Sequence, residues 1–307
     1  MTTPPEPLSR PRLLQTSSGS LREAFGPAEW GLVALIASMW GSSFLFMEVG
    51  LTAMEPGVVT MARIGLGALA LTLVPRARRP IDRADWPRIL VLGVVWMAVP
   101  LSLFPIAQQW IDSSVAGMIN AGMPILTAVW AAVLLRRLPR WRQLVGVLVG
   151  FAGIVAVMWP GLVDADATAL GSLLIVGAVV CYGLAANLAV PLQQRYGSLP
   201  VLWRVQLVAL ALVAPAGLWQ LPASTWAWGP ALAMVPLGVL GTGVAFVLMT
   251  TLFGRVGGPR GSITIYFVPI IAIVLGVALL GEDLHPSALL GTGLVLAGAW
   301  LTSRREV

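Results

Sequence analysis

Ten apolar runs follow one another along this 307-residue chain, and short polar stretches separate them. Each run is about 20 residues long, the length that an α-helix needs to cross the hydrocarbon core of a bilayer. The polar stretches are too short to hold a soluble catalytic domain. The pattern therefore predicts an all-α integral membrane protein with ten transmembrane helices, at about 28–50, 55–75, 86–108, 113–135, 141–160, 169–191, 199–219, 229–253, 261–281 and 285–302.

The second half of the chain repeats the first at an offset of about 145 residues. Pro124 corresponds to Pro269 at this offset, and Gly93 corresponds to Gly238. A long repeat at fixed spacing indicates two copies of one structural unit. We therefore expect a disordered cytoplasmic N-terminal segment (1–27), a first five-helix repeat (28–160), an outer linker (161–168), a second five-helix repeat (169–302) and a cytoplasmic tail (303–307).

The composition excludes several classes of protein. Hydrophobic residues make up 58% of the chain and charged residues only 10%, whereas soluble domains carry about 25% charged residues. The chain has no lysine, which excludes a P-loop and a Schiff-base site and so argues against ATP as the energy source. One cysteine, Cys181, and one histidine, His285, cannot form the usual metal site, so we expect neither metal nor cofactor.

Charge along the chain predicts its orientation. All 19 basic residues are arginines, dispersed in short segments, which does not indicate a nucleic-acid partner. With the N-terminus in the cytoplasm, 17 arginines fall on the cytoplasmic side and none outside. The outer segments carry carboxylates instead: Glu48, Glu55, Asp112, Asp164, Asp166, Glu282 and Asp283. We therefore expect a multi-pass protein of the inner membrane with both termini in the cytoplasm.

The two repeats are expected to be inverted relative to each other. Five helices per repeat is an odd number, so the second repeat must enter the membrane from the opposite side. The hairpin around Arg137 is basic and is predicted inside, whereas its counterpart around Glu282 is acidic and is predicted outside. Ten of the 13 tryptophans lie at predicted helix ends, as in an interfacial aromatic belt.

Four features of the chain are distinctive: SMWGSSFLFMEVG (Ser38 to Gly50), Arg63 after Pro56, the proline-centred fourth and ninth helices, and VALLGEDL before the tenth helix. In these features the chain resembles the EamA-type transporters of the drug/metabolite transporter superfamily. The resemblance covers about 28–302 and implies a secondary transporter of small metabolites, often an exporter of amino acids. Family members often carry a glutamate in the first-half hairpin, where this chain has Arg137.

Arg63 is the most informative single residue. It lies about eight residues, or about 12 Å, below the outer end of the second helix. An arginine near the bilayer centre costs about 2.5–3.5 kcal/mol on insertion scales, so its side chain should find a polar environment. It could face a transport cavity and bind a carboxylate, form an ion pair with Glu48, or extend outward to the membrane surface.

Three aromatic residues, Trp40, Trp96 and Tyr182, lie mid-helix, where the interfacial belt does not explain them. Inverted-repeat transporters bind substrate near the bilayer midplane. We therefore predict a substrate site walled by these three residues, with Arg63 and Asn120 as polar contacts. The alternative for each aromatic side chain is ordinary helix packing or contact with lipid.

Prolines within helices suggest where the predicted site could change shape. Pro124 and Pro269 free backbone carbonyls at depth, which is tolerated only inside protein or beside water, and both are candidate hinges. In the fifth helix, Gly146 and Gly150 form a GxxxG motif that favours close packing against another helix of this chain or against a second copy in a homodimer. Further polar candidates are Gln108, Asn187 and Thr242.

Three function classes follow from these features. The first is a secondary transporter, in the export direction, that moves small metabolites such as amino acids by alternating access. The second is proton-coupled efflux of cationic drugs using Glu48. The third is a membrane enzyme or scaffold acting on lipid, although the sequence has no His–acid pair within a helix, no metal cluster and no phosphate loop. The partners expected are a small-molecule substrate and the lipid bilayer.

Overall fold

The computed structural model describes residues 13–14, 16–17, 20, 25–135, 141–163 and 167–303. The predictions for Arg137, for Asp164 and Asp166 in the linker, and for the tail after residue 303 lie outside these residues. Within them the chain forms helices joined by short turns, with no strand. The predicted all-α class is therefore confirmed.

Ten helical runs succeed one another in the described part of the chain, in agreement with the predicted number. Six are long and apolar enough to cross a membrane by length and composition, and shorter apolar helices occupy the other four. In order they are α1 (Pro27–Leu51), α2 (Pro56–Thr72), α3 (Trp86–Leu92, Gly93–Ala98 and Val99–Ala107), α4 (Ser113–Asn120 and Met123–Leu135), α5 (Trp141–Val163), α6 (Ala167–Tyr196), α7 (Ser198–Gln220), α8 (Trp228–Gly238, Val239–Val244 and Ala245–Val256), α9 (Gly258–Gly261, Ser262–Phe267, Val268–Leu275 and Gly276–Leu280) and α10 (Pro286–Ser303).

Several of these helices are interrupted by segments that are not α-helical, and the interruptions recur at equivalent places in the two halves. Both α3 and α8 contain a π-helical segment, at Gly93–Ala98 and at Val239–Val244. Pro124 and Pro269 are each the second residue of an α-helical segment that follows an interruption. A proline lacks an N–H and is tolerated in the first turn of a helix, where that donor has no intrahelical partner. A hinge at either proline stays a prediction.

The equivalent helices α2 and α7 run antiparallel to each other. At the start of α2, the Gly57 amide donates to Gln220 Oε1 at the end of α7, at 2.7 Å. At the end of α2, Thr72 Oγ1 accepts from Trp203 Nε1 near the start of α7, at 2.9 Å. Because equivalent helices of an inverted repeat must point in opposite directions, this pair agrees with the predicted inversion.

The helices α5 and α10 form a second antiparallel pair of equivalents, packed through glycines. A Cβ atom on Gly298 would lie only 2.6 Å from the Cα of Gly150, and one on Gly153 would lie 2.7 Å from the carbonyl oxygen of Gly291. Such distances leave no room for a side chain. The backbone at Gly146 and Gly150 of the GxxxG motif is therefore packed against Gly298 in α10 of the same chain.

The outer surface of the bundle is apolar. Many large hydrophobic side chains are exposed, and Trp141, Trp219, Trp226 and Trp228 are each more than 70% exposed. So many exposed large apolar side chains mark a surface that contacts a membrane or another protein rather than water. With the six apolar helices, it identifies an integral membrane protein.

Part of the segment expected to be disordered contacts the bundle. Ser17 Oγ donates to Gln194 Oε1 at 2.8 Å, and the Ser20 amide donates to the Gly254 carbonyl at 3.3 Å. These contacts lie at the C-terminal parts of α6 and α8. Ser17 and Ser20 thus lie against the side of the protein that the charge pattern places in the cytoplasm.

Glu282, in the hairpin that resembles the family motif, caps a helix. Its carboxylate accepts hydrogen bonds from the amides of Ser113 and Ser114, each at 3.0 Å, and from the Ser113 hydroxyl. These are the first amides of α4, which have no partner within their own helix. Glu282 therefore joins the hairpin between α9 and α10 to the start of α4.

Candidate functional site

A small cavity lies where α1, α2, α3 and α4 of the first half meet α6, α8 and α9 of the second. All five residues that the sequence assigns to a substrate site line it: Trp40, Arg63, Trp96, Asn120 and Tyr182. The remaining lining residues are Ser43, Phe44, Met47, Phe104, Met123, Phe246 and Ile265. The structure thus brings together residues that are far apart in the chain and places them between the two halves.

Close packing of α2 against α8 positions the polar part of this cavity. A Cβ on Gly67 would lie 3.0 Å from the carbonyl oxygen of Gly238, and a Cβ on Gly238 would lie 3.0 Å from that of Arg63. The two backbones therefore nearly touch. This approach brings the side chain of Arg63, one turn before Gly67, against the π-helical segment of α8.

Trp40 and Trp96, two of the aromatic residues predicted to wall the site, both contact the ring of Phe246. The ring of Phe246 lies 5.1 Å from that of Trp40 and 5.6 Å from that of Trp96, edge-on in both cases. Trp96 is 1% exposed. The Trp40 Nε1–H donates to the carbonyl of Gly241 at 3.0 Å, which holds the indole in place. Offset and edge-to-face contacts of this kind stabilise aromatic clusters beyond burial alone.

A second aromatic group contains residues that the sequence analysis missed. Phe104 stacks on Tyr182 at 5.9 Å and meets Phe44 edge-on at 5.6 Å. Phe44 follows Trp40 by four residues and so shares its helix face, a spacing that could have indicated it. Phe246 carries no such signal, because its place in the wall depends on how α8 packs.

Arg63 is buried, with 3% of its surface exposed. Its Nε–H donates to Thr242 Oγ1 at 3.2 Å, and Nη1 lies 3.6 Å from Met47 Sδ, a weak acceptor. None of the ion pairs among the described residues includes it.

Two other buried arginines have partners of a different kind. Arg88 pairs with Asp85 at 3.4 Å, and Arg204 donates to the carbonyls of Pro200 and Ala77 at 3.0 and 3.4 Å. Arg63 has neither an acid nor a carbonyl as a recorded partner in the described part of the chain. Its charge is therefore available to a molecule that enters the cavity.

Asn120 supplies an unused acceptor. Its side chain is 5% exposed, and its Oδ1 atom has no hydrogen-bond partner among the described residues. Buried polar atoms are nearly always paired, so an unpaired one beside a cavity calls for a partner. Asn187 shows the ordinary case, because its Nδ2 donates to the carbonyls of Thr127 and Gly183, both at 2.9 Å.

Glu48 does not pair with Arg63. Its Oε2 accepts from Gln108 Nε2 at 3.0 Å, and Glu48 is not among the residues that line the cavity. The structure therefore contains no Glu48–Arg63 ion pair, and Arg63 does not extend outward, because its guanidinium is buried against Thr242 and Met47. Of the described residues on the cavity wall, Arg63 alone carries a formal charge.

These features define what the cavity could hold. Arg63 suits a carboxylate, Asn120 Oδ1 accepts from a donor such as an ammonium group, and the rings suit an apolar side chain. Within the described residues, no group of three or more His, Cys, Asp or Glu could hold a metal ion.

The comparisons with known proteins agree with one another on a transporter family. The family model described as the EamA-like transporter family matches residues 29–159 and 169–304. A solved crystal structure shares the fold, with a TM-score of 0.66 and 18% identity, over 90% of this chain and 97% of that one.

Curated relatives are transporters by name. A probable terminal-alkyne amino-acid exporter of Streptantibioticus cattleyicolor is 27% identical over 91% of this chain and 94% of its own length. An S-adenosylmethionine/S-adenosylhomocysteine transporter of Chlamydia trachomatis is 27% identical over 90% and 89%. An uncharacterized transporter of Archaeoglobus fulgidus is 22% identical over 91% and 99%.

Proposed function

The chain belongs to the EamA-like transporter family of small-molecule transporters, and we propose that it exports amino acids or similar zwitterionic metabolites by alternating access. The proposed site is the cavity between the halves. Arg63 binds the substrate carboxylate, Asn120 accepts from its ammonium group, and the walls formed by Trp40, Trp96 and Tyr182 contact its apolar part.

The observation that supports this proposal best is the state of Arg63. A buried guanidinium without a recorded acid partner carries a large desolvation cost, which a bound carboxylate would offset. A bidentate arginine–carboxylate pair also has defined geometry and so selects for this group. The amino-acid exporter among the relatives supports the same class of substrate.

The other two function classes have less support. Cation efflux would require an acid in the cavity, whereas Glu48 lies outside the lining and bonds to Gln108. The names of the family and of the relatives indicate a transporter rather than an enzyme.

Alternating access fits the repeat architecture. Inverted repeats offer two equivalent closures around one shared site, so that the site can open to either side in turn. The interruptions in α3 and α8 and those beside Pro124 and Pro269 lie at equivalent points of the two halves. We propose Pro124 and Pro269 as hinges of this motion. We propose further that energy comes from a gradient rather than from ATP.

Transport by proteoliposomes tests the proposal. Uptake of a panel of amino acids and of their carboxamides should be measured for the unmodified protein, Arg63→Ala and Arg63→Lys. We expect Arg63→Ala to abolish saturable transport of the amino acids. Arg63→Lys should restore it only in part, because a lysine has no planar fork for bidentate binding.

Arg204→Ala serves as the matched control, because Arg204 is also buried but does not line the cavity. It should leave the apparent KM for the amino acids unchanged. Equal transport by Arg63→Ala and the unmodified protein would remove the proposed site. Transport of the carboxamides in preference to the amino acids would remove the proposed substrate class.

A further inference from the structure

We propose that Thr242 is a positioning residue for Arg63: its hydroxyl holds the guanidinium so that a substrate carboxylate meets the two terminal nitrogens, Nη1 and Nη2. The inference rests on the proposed function and extends it to a residue that does not line the cavity. Thr242 lies in the π-helical segment Val239–Val244 of α8, is fully buried, and bonds to Arg63 across 179 positions of the chain.

A neighbouring carbonyl determines which atom donates and which accepts in the hydrogen bond between Arg63 and Thr242. A threonine hydroxyl has one hydrogen to donate and two lone pairs that accept. Thr242 Oγ1 lies 3.0 Å from the carbonyl oxygen of Leu237, to which it can only donate. The lone pairs are therefore left for Arg63 Nε–H at 3.2 Å. The Thr242 hydroxyl thus acts as an acceptor that is fixed in direction.

The backbone that carries Thr242 is itself held from two sides. A π-helical segment interrupts the regular pattern of carbonyl acceptors in a helix. Here side chains of other helices bind two of these carbonyls. Trp40 of α1 donates to Gly241 at 3.0 Å, and Gln206 of α7 donates to Thr242 at 2.8 Å. The acceptor for Arg63 is therefore anchored to helices of both halves.

This arrangement selects one edge of the guanidinium. A carboxylate can bind an arginine in bidentate fashion either at the end, through Nη1 and Nη2, or at the side, through Nε and one terminal nitrogen. Thr242 occupies Nε. Of the recorded contacts, only the thioether of Met47, a weak acceptor at 3.6 Å, lies at the end. The end is therefore the edge that a substrate can use.

The first test needs no substrate. In protein labelled with ¹⁵N-arginine, the Arg63 Nε–H signal is assigned by its loss in Arg63→Lys, and its exchange with water is measured by NMR. Thr242→Val keeps the shape but removes the acceptor, and should accelerate exchange about tenfold. Thr242→Ser should retain slow exchange. The control is Thr250→Val, because Thr250 is equally buried in α8 but bonds to Phe246 of its own helix.

The second test measures transport of leucine and of leucinamide, which lacks the carboxylate. Thr242→Val should raise the apparent KM for leucine about tenfold at an unchanged maximal rate per folded protein, and should reduce discrimination against leucinamide. Thr242→Ser should restore both values. A purely structural role would instead lower the amount of folded protein and leave the KM unchanged.

The outcomes separate this inference from the proposed function. Slow exchange in Thr242→Val, or discrimination equal to that of the unmodified protein, overturns the positioning role even if leucine is transported. If the unmodified protein does not transport leucine, the proposed substrate class fails for this probe. The exchange measurement still decides whether Thr242 holds Arg63.

Discussion

Buried polar side chains in this bundle fall into two kinds. Asn187 has two backbone carbonyls as acceptors, whereas Asn120 Oδ1 has no partner in the described residues. A satisfied buried amide stabilises the fold, and an unsatisfied one costs free energy that something else must offset. The difference suggests that Asn187 serves the fold and that Asn120 serves the proposed site.

Replacing each asparagine by leucine should separate the two roles. Asn120→Leu should leave the thermal unfolding midpoint unchanged or higher and should reduce transport of the amino-acid panel. Asn187→Leu should destabilise the protein by about 1–3 kcal/mol, because two hydrogen bonds are lost. Thermal unfolding in detergent, together with proteoliposome transport, measures both. A large drop in stability for Asn120→Leu would contradict the assignment.

Asp112, in the turn between α3 and α4, is expected to make stability depend on pH. Partial loss of water raises the pKa of its carboxyl above the ordinary value of 3.8, and the charges of Glu282 and Asp283 raise it further. A raised pKa in the folded state means that the ionised form is disfavoured there. The resulting cost is complete above the folded-state pKa and disappears as the pH falls and the proton binds.

Asp112→Asn should therefore raise the unfolding midpoint at pH 7. The gain should be under about 1 kcal/mol, because water screens the carboxyl. It should shrink as the pH is lowered toward 3.8, where the native carboxyl also becomes neutral. Unfolding midpoints of both proteins across this range provide the measurement. A gain that is as large in acid as at pH 7 would show that charge is not the cause.

At the scale of helices, glycines determine how closely the two halves approach. Gly298 of α10 faces the backbone of α5 with no space for a Cβ, whereas a Cβ on Gly293 of the same helix would meet nothing within 4 Å. Alanine is a better helix former than glycine at both positions, so helix propensity alone would predict stabilisation in each case. At Gly298, however, the close packing should make alanine destabilising.

Gly298→Ala should lower stability by about 1–3 kcal/mol, since an added methyl group forces the two backbones apart. Gly293→Ala, the control on the same helix, should be neutral or slightly stabilising. Thermal unfolding and the yield of monodisperse protein measure the effect. If both variants behave alike, the close contact between α5 and α10 is not important for stability.

At the scale of the whole molecule, the antiparallel pairs α2–α7 and α5–α10 relate one half to the other by inversion. Geometry alone does not say which end of the bundle faces the cytoplasm. The arginine distribution does, since arginines in short loops are retained on the cytoplasmic side. The orientation is therefore a prediction from charge.

Single cysteines introduced into a Cys181→Ala background should reveal this orientation. Asp283→Cys should react with a membrane-impermeant maleimide on intact cells, and Arg79→Cys should react only after permeabilisation. Both positions are exposed on the structure, so access does not limit labelling. Labelling of Arg79→Cys on intact cells would reverse the topology.

Much of the architecture is determined by the sequence alone. Hydropathy sets the helices, because a bilayer requires about 20 apolar residues for each crossing whatever the rest of the chain does. The 145-residue offset indicates the repeat. The cost of an arginine within a membrane predicts that Arg63 faces a polar partner or water, although three such environments remained open. Each of these properties follows from the order of residues in the chain and from the bilayer around it, and none requires knowing which helices touch.

Only the tertiary structure decided what Arg63 meets. Glu48 and Thr242 were both polar candidates in the sequence, and the contact formed is with Thr242, 179 positions away. The choice depends on the close approach of α2 and α8 at Gly67 and Gly238. The same holds for Phe246, which joins Trp40 to Trp96. Contacts between distant segments follow from how the helices pack, and no local periodicity in the chain encodes that packing.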